Sequence, residues 1–275
     1  RFGARSTGTP KFTHLVGGFV QVVGYETGER AGTAEAALLV AREGAVEREP
    51  LPEGRTLDYT LGERRCAGAL DGNEHIACDV PEAPYCEAHG STWVCARCTG
   101  DCLKAEMDCY QQHAVYFAAF APDTFKVGVT KLPRLRTRFR EQGADRGAHV
   151  YTVGNGRIAR EIEAELAAEI PVPDAVRVPR KISGMGRRVD ESAWNRLLAE
   201  FDIKETYDFE YGLDLDAAPV AETLVSGTVA GTKGRVLVLE RDGGRFAVDM
   251  RDLVGYELDT GTASRALQSS LGAFD

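Results

Sequence analysis

Seven cysteines and a histidine crowd one stretch of the chain: Cys66, Cys78, Cys86, His89, Cys95, Cys98, Cys102 and Cys109. Cys86-x-x-His89 and Cys95-x-x-Cys98 have the two-residue gap with which a tight turn presents two donors to one ion. Zinc takes four soft or borderline ligands in a tetrahedron. Eight such residues therefore suffice for two zinc ions, each closed off by protein and so structural rather than catalytic. A disulfide framework needs an oxidising compartment, and the opening residues show no secretory leader pattern, so the expectation is metal. One partition gives Cys66, Cys78, Cys86 and His89 to the first ion and Cys95, Cys98, Cys102 and Cys109 to the second. Interleaved ligation would use the same residues, and His75 and His113 are near enough in sequence to substitute.

The second chemical feature is charge. From Lys126 to Arg188 there are 14 Lys or Arg and 7 Asp or Glu, a local balance of +7 in a chain whose formal net charge is −9. A basic island in an acidic chain is the electrostatic footprint of a segment that meets phosphates, although a solvated charged face has the same composition. Lys126, Lys131, Arg134, Arg136, Arg138 and Arg140 are the residues expected to contact nucleic acid. The four arginines alternate, so a helix would wrap them around its axis, and some must serve ion pairs instead.

The elements that must position these residues follow from apolar spacing and turn residues. Residues 14–63 read as short strands between glycine turns, after a loose arm over 1–13. The zinc-binding module occupies 64–112. Within 113–189, Ala114–Phe120 and Phe125–Val129 form a hairpin about Pro122-Asp123-Thr124. A helix over Leu135–Glu141, a strand over His149–Val153 and a helix over Arg157–Ile170 follow. Pro171, Pro173 and Pro179 then start an extended basic stretch, with Gly184-Met185-Gly186-Arg187-Arg188 a flexible linker. In the connector 190–222, Asp190 caps a short helix whose Trp194, Leu197, Leu198 and Phe201 make one buried face. Residues 223–258 alternate strands and glycine turns as a small β-barrel would, and 259–275 is a loosely held tail. The fold class expected is α+β and multidomain: N-terminal strands, a zinc-ribbon-like segment, an αβ domain and a small C-terminal β-barrel. No apolar run is long enough to span a bilayer, so a soluble, cytoplasmic protein with no membrane partner is expected. Walker-type phosphate loops, dinucleotide-binding glycine patterns and nucleophile elbows are absent from the sequence.

Ala114-Val115-Tyr116, nine residues, Lys126-Val127-Gly128 with Thr130, an arginine-rich helix and a Glu-bearing helix together resemble the GIY-YIG nuclease superfamily over about 113–170. The resemblance implies a GIY-YIG-like αβ domain in which Tyr116 matches the first motif tyrosine, Gly128 the closing glycine, Arg138 the phosphate-facing arginine and Glu163 a magnesium ligand. Lys126 replaces the second tyrosine; an ammonium neutralises phosphate but is a poor base unless its pKa is depressed. Independently, a helical wheel puts Glu163 at the margin of a buried face between Ala159 and Ala167, with Glu161 and Glu165 pointing away. Over residues 20–258 the chain is also similar to an uncharacterised prokaryotic family, a domain of unknown function, in which Gln142-Gly143-Ala144 belongs to a fixed turn. The functions expected are a zinc-containing nucleic-acid-binding protein and, on the same scaffold, a Mg-dependent endonuclease using Tyr116, Lys126, Arg138 and Glu163. The alternative is a non-catalytic scaffold or ribosome-associated module. DNA versus RNA, activity and oligomeric state are left open.

Overall fold

The computed structural model describes residues 20–28, 35–90 and 110–260. The arm over 1–13, most of the tail, and Cys95, Cys98, Cys102 and Cys109 lie outside these residues. In chain order the first strands are β1 (Val20–Thr27), β2 (Ala36–Arg42), β3 (Ala45–Pro50), β4 (Thr56–Arg64), β5 (Ala69–Asp71) and β6 (Glu74–Ile76). Next come β7 (His113–Phe120), β8 (Thr124–Lys131), α1 (Leu135–Gln142), β9 (Arg146–Val153), α2 (Gly156–Glu169), α3 (Val178–Ser183) and α4 (Glu191–Leu198). The chain continues through β10 (Glu205–Asp208), β11 (Val220–Ala221), β12 (Val225–Lys233), β13 (Val236–Arg241), β14 (Gly244–Asp249), α5 (Met250–Leu253) and β15 (Tyr256–Thr260).

These strands form two sheets. The larger has eleven strands in the order β11-β14-β13-β12-β4-β15-β1-β2-β3-β6-β5. It is mixed, because β11 runs parallel to β14 while its other pairs are antiparallel. The expectation of an α+β chain with separate N-terminal strands and a small C-terminal β-barrel is therefore corrected. Strands account for 42% of the described residues and helices for 20%, which makes the protein mostly β. The two ends of the chain interleave, with β15 between β4 and β1 and β12 on the far side of β4. Each end carries strands with one apolar face and open edges, and pairing across the chain satisfies both at once. Val22, Leu38, Leu57, Leu237, Leu239, Val248 and Leu253 meet in the resulting core.

The smaller sheet is antiparallel, ordered β10-β9-β7-β8. Every residue of the central strand β7 is buried, because both faces are covered. Val115, Phe117 and Ala119 pack towards α2 and Trp194 of α4, whereas Tyr116, Ala118 and Phe120 pack towards Leu135 and Phe139 of α1. The local order strand, strand, helix, strand, helix read from the sequence is present here, and Asp190 caps α4 by accepting from the Ala193 N–H.

Two close backbone approaches join the sheets. Gly143, in the left-handed region at φ 70°, ends α1 against the β12–β13 turn; a Cβ there would lie 2.9 Å from the Lys233 carbonyl oxygen. Beside it the Lys233 ammonium meets Asp145 at 2.5 Å. The second approach corrects the reading of 184–188 as a flexible linker. Pro179 sits in the first turn of α3, where its missing N–H costs nothing. Val178, Ile182 and Met185 then pack on Val236, Val238 and Ala247 of the large sheet. Gly184 lies so near Ala121 that a Cβ would fall 1.6 Å from the Ala121 carbonyl oxygen. Among the described residues no helix is long and apolar enough to cross a membrane.

Gly184 has an ordinary right-handed backbone, so alanine is excluded only by this contact. Gly184→Ala should lower unfolding stability by about 2 kcal/mol or more, in the range of overpacked cores. A urea melt unchanged from wild type would contradict the tight approach of α3 to β7.

Candidate metal centre and cationic site

The chain leaves β4 through Cys66, and the backbone immediately beyond it is densely tied. Cys66 N–H donates to the Val80 carbonyl at 2.9 Å and Ala67 N–H to the Pro84 carbonyl at 2.9 Å. Gly68, at φ 67°, lies where a Cβ would be 2.0 Å from the Ile76 carbonyl oxygen, so only glycine lets the β5–β6 hairpin close. Around this knot Cys66, Cys78, Cys86 and His89 bring one ligand atom each to within 4.8 Å of one another. His89 Nδ1 lies 3.4 Å from Cys66 Sγ and 3.3 Å from Cys86 Sγ. Tetrahedral zinc with bonds of ~2.3 Å to sulfur and ~2.0 Å to nitrogen sets S···N near ~3.5 Å, so the set can hold one such ion. All three cysteines are free, which removes the disulfide alternative for them. Neither His75 nor His113 belongs to this set: His75 Nε2 faces the Ala67 carbonyl at 2.9 Å, and His113 Nδ1 faces the Gln111 carbonyl at 2.7 Å.

Electrostatics favours a cation here. Burial works against ionising Cys66, but the N–H groups of Cys86 and Gly68 aimed at its sulfur outweigh it and hold the thiol below its ordinary value. At Cys78 the Val80 N–H favours the thiolate, yet burial and the sulfurs of Cys66 and Cys86 prevail and push the thiol up. Thiolates that repel one another in this way are stabilised together by a divalent ion. The cluster is anchored to the large sheet: Gln21 of β1 donates to the carbonyls of Cys66 and Gly255.

The other predicted residues meet at the smaller sheet. Tyr116 of β7 lies opposite Gly128 of β8, and its ring covers that glycine so closely that a Cβ would lie 2.6 Å from Cζ. Phe139 meets the ring edge-on with centroids 4.8 Å apart, and the hydroxyl accepts from Gln142 Nε2 at 2.5 Å. Burial raises the Tyr116 pKa against the opposing influence of Arg138 and Gln142, so the phenol keeps its proton at neutral pH. Lys126 shares its face of β8 with Gly128 and is only 8% exposed; its ammonium donates to the Asp174 carbonyl at 2.7 Å. Burial first and Arg138 second bring its pKa down to about 8. Glu163 lies on the buried face of α2 with Ala159 and Leu166. Its carboxylate is paired with Arg160 at 2.5 Å, while burial raises its pKa. Tyr116, Lys126, Arg138 and Glu163 are thus close enough to alter one another's ionisation.

The arginines of α1 divide as their alternation predicts. Arg134 and Arg138 both pair with Glu141, at 2.7 and 3.2 Å. Arg136 and Arg140 stand over the Phe209 ring, 5.7 and 5.3 Å from its centroid. Lys131 lies at the end of β8, half-buried. Two residues beside this cluster had no side-chain role in the sequence reading: Gln142, named there only as part of a turn, donates to Tyr116, and Lys181 donates to the Gln142 carbonyl. Gln142 follows Arg138 by four residues on one helix face, a signal that was available. Lys181 stood in a stretch read as extended, and its signal was Pro179 opening a helix.

Substituting Cys86→Ser should remove about one zinc per chain from the wild-type content and make the residual fold more sensitive to heat. Unchanged zinc by elemental analysis would contradict this ligand set.

Residues 78–258 match the family described as "Protein of unknown function (DUF2797)", a stretch that takes in three of the four clustered ligands and the whole smaller sheet. No curated protein and no solved structure matches the chain, and nothing found supports the GIY-YIG resemblance.

Proposed function

With the chain's membership of the DUF2797 family as premise, we propose that it is a zinc-stabilised protein that binds nucleic acid, gripping the phosphodiester backbone at the site of Tyr116, Lys126 and Arg138. The observation that carries this reading is the state of Lys126. Its ammonium is sunk in the fold, supported by the Asp174 backbone carbonyl, with the Arg138 guanidinium acting on it and with Glu163, one of the two acids that also act on it, already paired with Arg160. An ammonium held in a low dielectric with no carboxylate at ion-pair distance is repelled by a neighbouring guanidinium, and an anion entering between them relieves that repulsion. A guanidinium offers a planar fork to phosphate oxygens and an ammonium a point charge, which together fit a phosphodiester. The zinc of Cys66, Cys78, Cys86 and His89 is structural in this reading, and Cys95, Cys98, Cys102 and Cys109 would hold a second ion.

A second reading, phosphodiester hydrolysis, is favoured by Glu163 lying buried in the same field, and it is the activity that the sequence resemblance to GIY-YIG nucleases implies. Glu163 with phosphate oxygens would hold magnesium, which would supply Lewis-acid polarisation of the phosphate. Arg138 would offset charge developing on the phosphate, and Tyr116 would orient water. Lys126 with a pKa of about 8 has a neutral fraction near pH 7 that can accept a proton, which meets the objection that an ammonium is a poor base.

The test is a binding titration of the full chain with single-stranded, duplex and branched DNA and RNA over a range of salt. The logarithm of affinity should fall linearly with the logarithm of salt, and Lys126→Met should reduce that slope by about one. Cutting in magnesium that is lost in both Tyr116→Phe and Glu163→Gln, with binding kept, supports hydrolysis. Binding without cutting supports the first reading alone. Absence of salt-sensitive binding to every nucleic acid overturns both and leaves the scaffold or ribosome-associated module.

A further inference from the structure

Helix α3 commits one side to the large sheet through Val178 and Ile182, which leaves Lys181 to project into the angle between the end of α1 and the end of β7. Its ammonium donates to the Gln142 carbonyl at 2.8 Å and stands 4.2 Å from the centroid of the Phe120 ring. The same Gln142 donates through its side chain to the Tyr116 hydroxyl. Lys181 is therefore one residue removed from the site of Tyr116 and Lys126.

The charged groups that act on it most strongly are all cations. Facing Lys181 are Lys126 of β8, Arg138 of α1, and Lys233 and Arg235 of the β12–β13 turn. Three of these are balanced: Lys233 by Asp145, Arg235 by Asp249 and Arg138 by Glu141. On its own helix Arg180 pairs with Asp123. Lys126 in turn faces Glu163 and Arg160 of α2, which pair with each other, and Asp174, whose backbone carbonyl accepts a hydrogen bond from the ammonium. Among the described residues, Lys126 and Lys181 each have a carbonyl partner and no carboxylate within ion-pair distance. Each ammonium keeps two further N–H donors after its carbonyl bond.

We propose that Lys181 and Lys126 form a phosphate-binding subsite where the two sheets meet, so that a phosphodiester of the bound strand lies between α3 and β8 beside Tyr116. The subsite rests on the nucleic-acid reading above and adds to it a helix outside the region of sequence resemblance. Two ammoniums supply the charge, and the electron-rich face of Phe120 orients one of them. Burial, reinforced by Lys126, Arg235, Arg138 and Lys233, brings the Lys181 pKa down to about 7. An anion between the lysines favours their charged forms, so at pH 8 the complex must take up protons as it forms.

The experiment is isothermal titration calorimetry of the full, zinc-loaded chain with a single-stranded oligonucleotide at pH 8, in two buffers of different ionisation enthalpy, repeated over a salt series. Wild type should take up a measurable fraction of a proton per strand bound. Lys181→Met should weaken binding several-fold, lower the salt slope by about one and take up fewer protons. Lys181→Arg, which stays charged, should keep the salt slope and lose the same part of the proton uptake. Equal affinity, slope and uptake in wild type and Lys181→Met, with salt-dependent binding intact, would overturn the subsite and spare the nucleic-acid reading. Failure of wild type to bind any strand would overturn that reading and the subsite with it. If Lys181→Met does not fold, as judged by circular dichroism and zinc content, Lys181→Arg decides: proton uptake equal to wild type overturns the proposal.

Discussion

An ammonium placed out of water without a carboxylate is expensive, and this protein holds two of them close together. Lys126 and Lys181 keep their positions because the backbone around them has little room to move. β7 is buried on both faces, Gly128 lies beneath the Tyr116 ring, Gly143 ends α1 against the Lys233 carbonyl, and Gly184 rests on Ala121. The approaches at Gly128, Gly143 and Gly184 would be lost to a single methyl group. Gln142 ties the arrangement together, its carbonyl taking Lys181 and its side chain meeting Tyr116. The fold thus spends stability on bringing ammonium groups together, and the proposed anion site rests on that cost.

The metal-ligand cluster sits elsewhere in the architecture. Its first ligand, Cys66, follows β4 and the other three follow β6, and Gln21 of β1 ties Cys66 to the large sheet. Its four donors form a closed set, suited to structural zinc. The mostly-β body therefore acts as a platform. One part of it carries the metal cluster, and another, the β12–β13 turn, presses on α1 and brings Lys233 and Arg235 into the field of Lys181.

Much of the local chemistry was legible. The Cys-x-x-His spacing and the flanking cysteines pointed to Cys66, Cys78, Cys86 and His89, because ligand spacing is a local property of turns. The hairpin of β7 and β8 followed from apolar runs about Pro122-Asp123-Thr124, and the helices α1 and α2 from apolar period and the turns around them. The wheel placed Glu163 at the edge of a buried face, and it lies within it, held by Arg160. The fold class was not legible. β15 enters between β1 and β4 across nearly the whole chain, and no local pattern encodes which distant edge a strand will choose. The prolines after α2 were read only as breakers; Pro179 instead opens α3, and with that misreading Lys181 was lost from view.

The central claim, that like charges are forced together where the sheets meet, is tested most directly by following the lysine side chains by NMR. With the lysine Cε positions labelled with 13C, and Lys126→Met and Lys181→Met used for assignment, each resonance can be titrated between pH 6 and 11. The account predicts one lysine titrating near 8 and another near 7, both well below the ordinary 10.5. Two lysines titrating at the ordinary value would show ammoniums standing in water, and the anion site would have no physical basis.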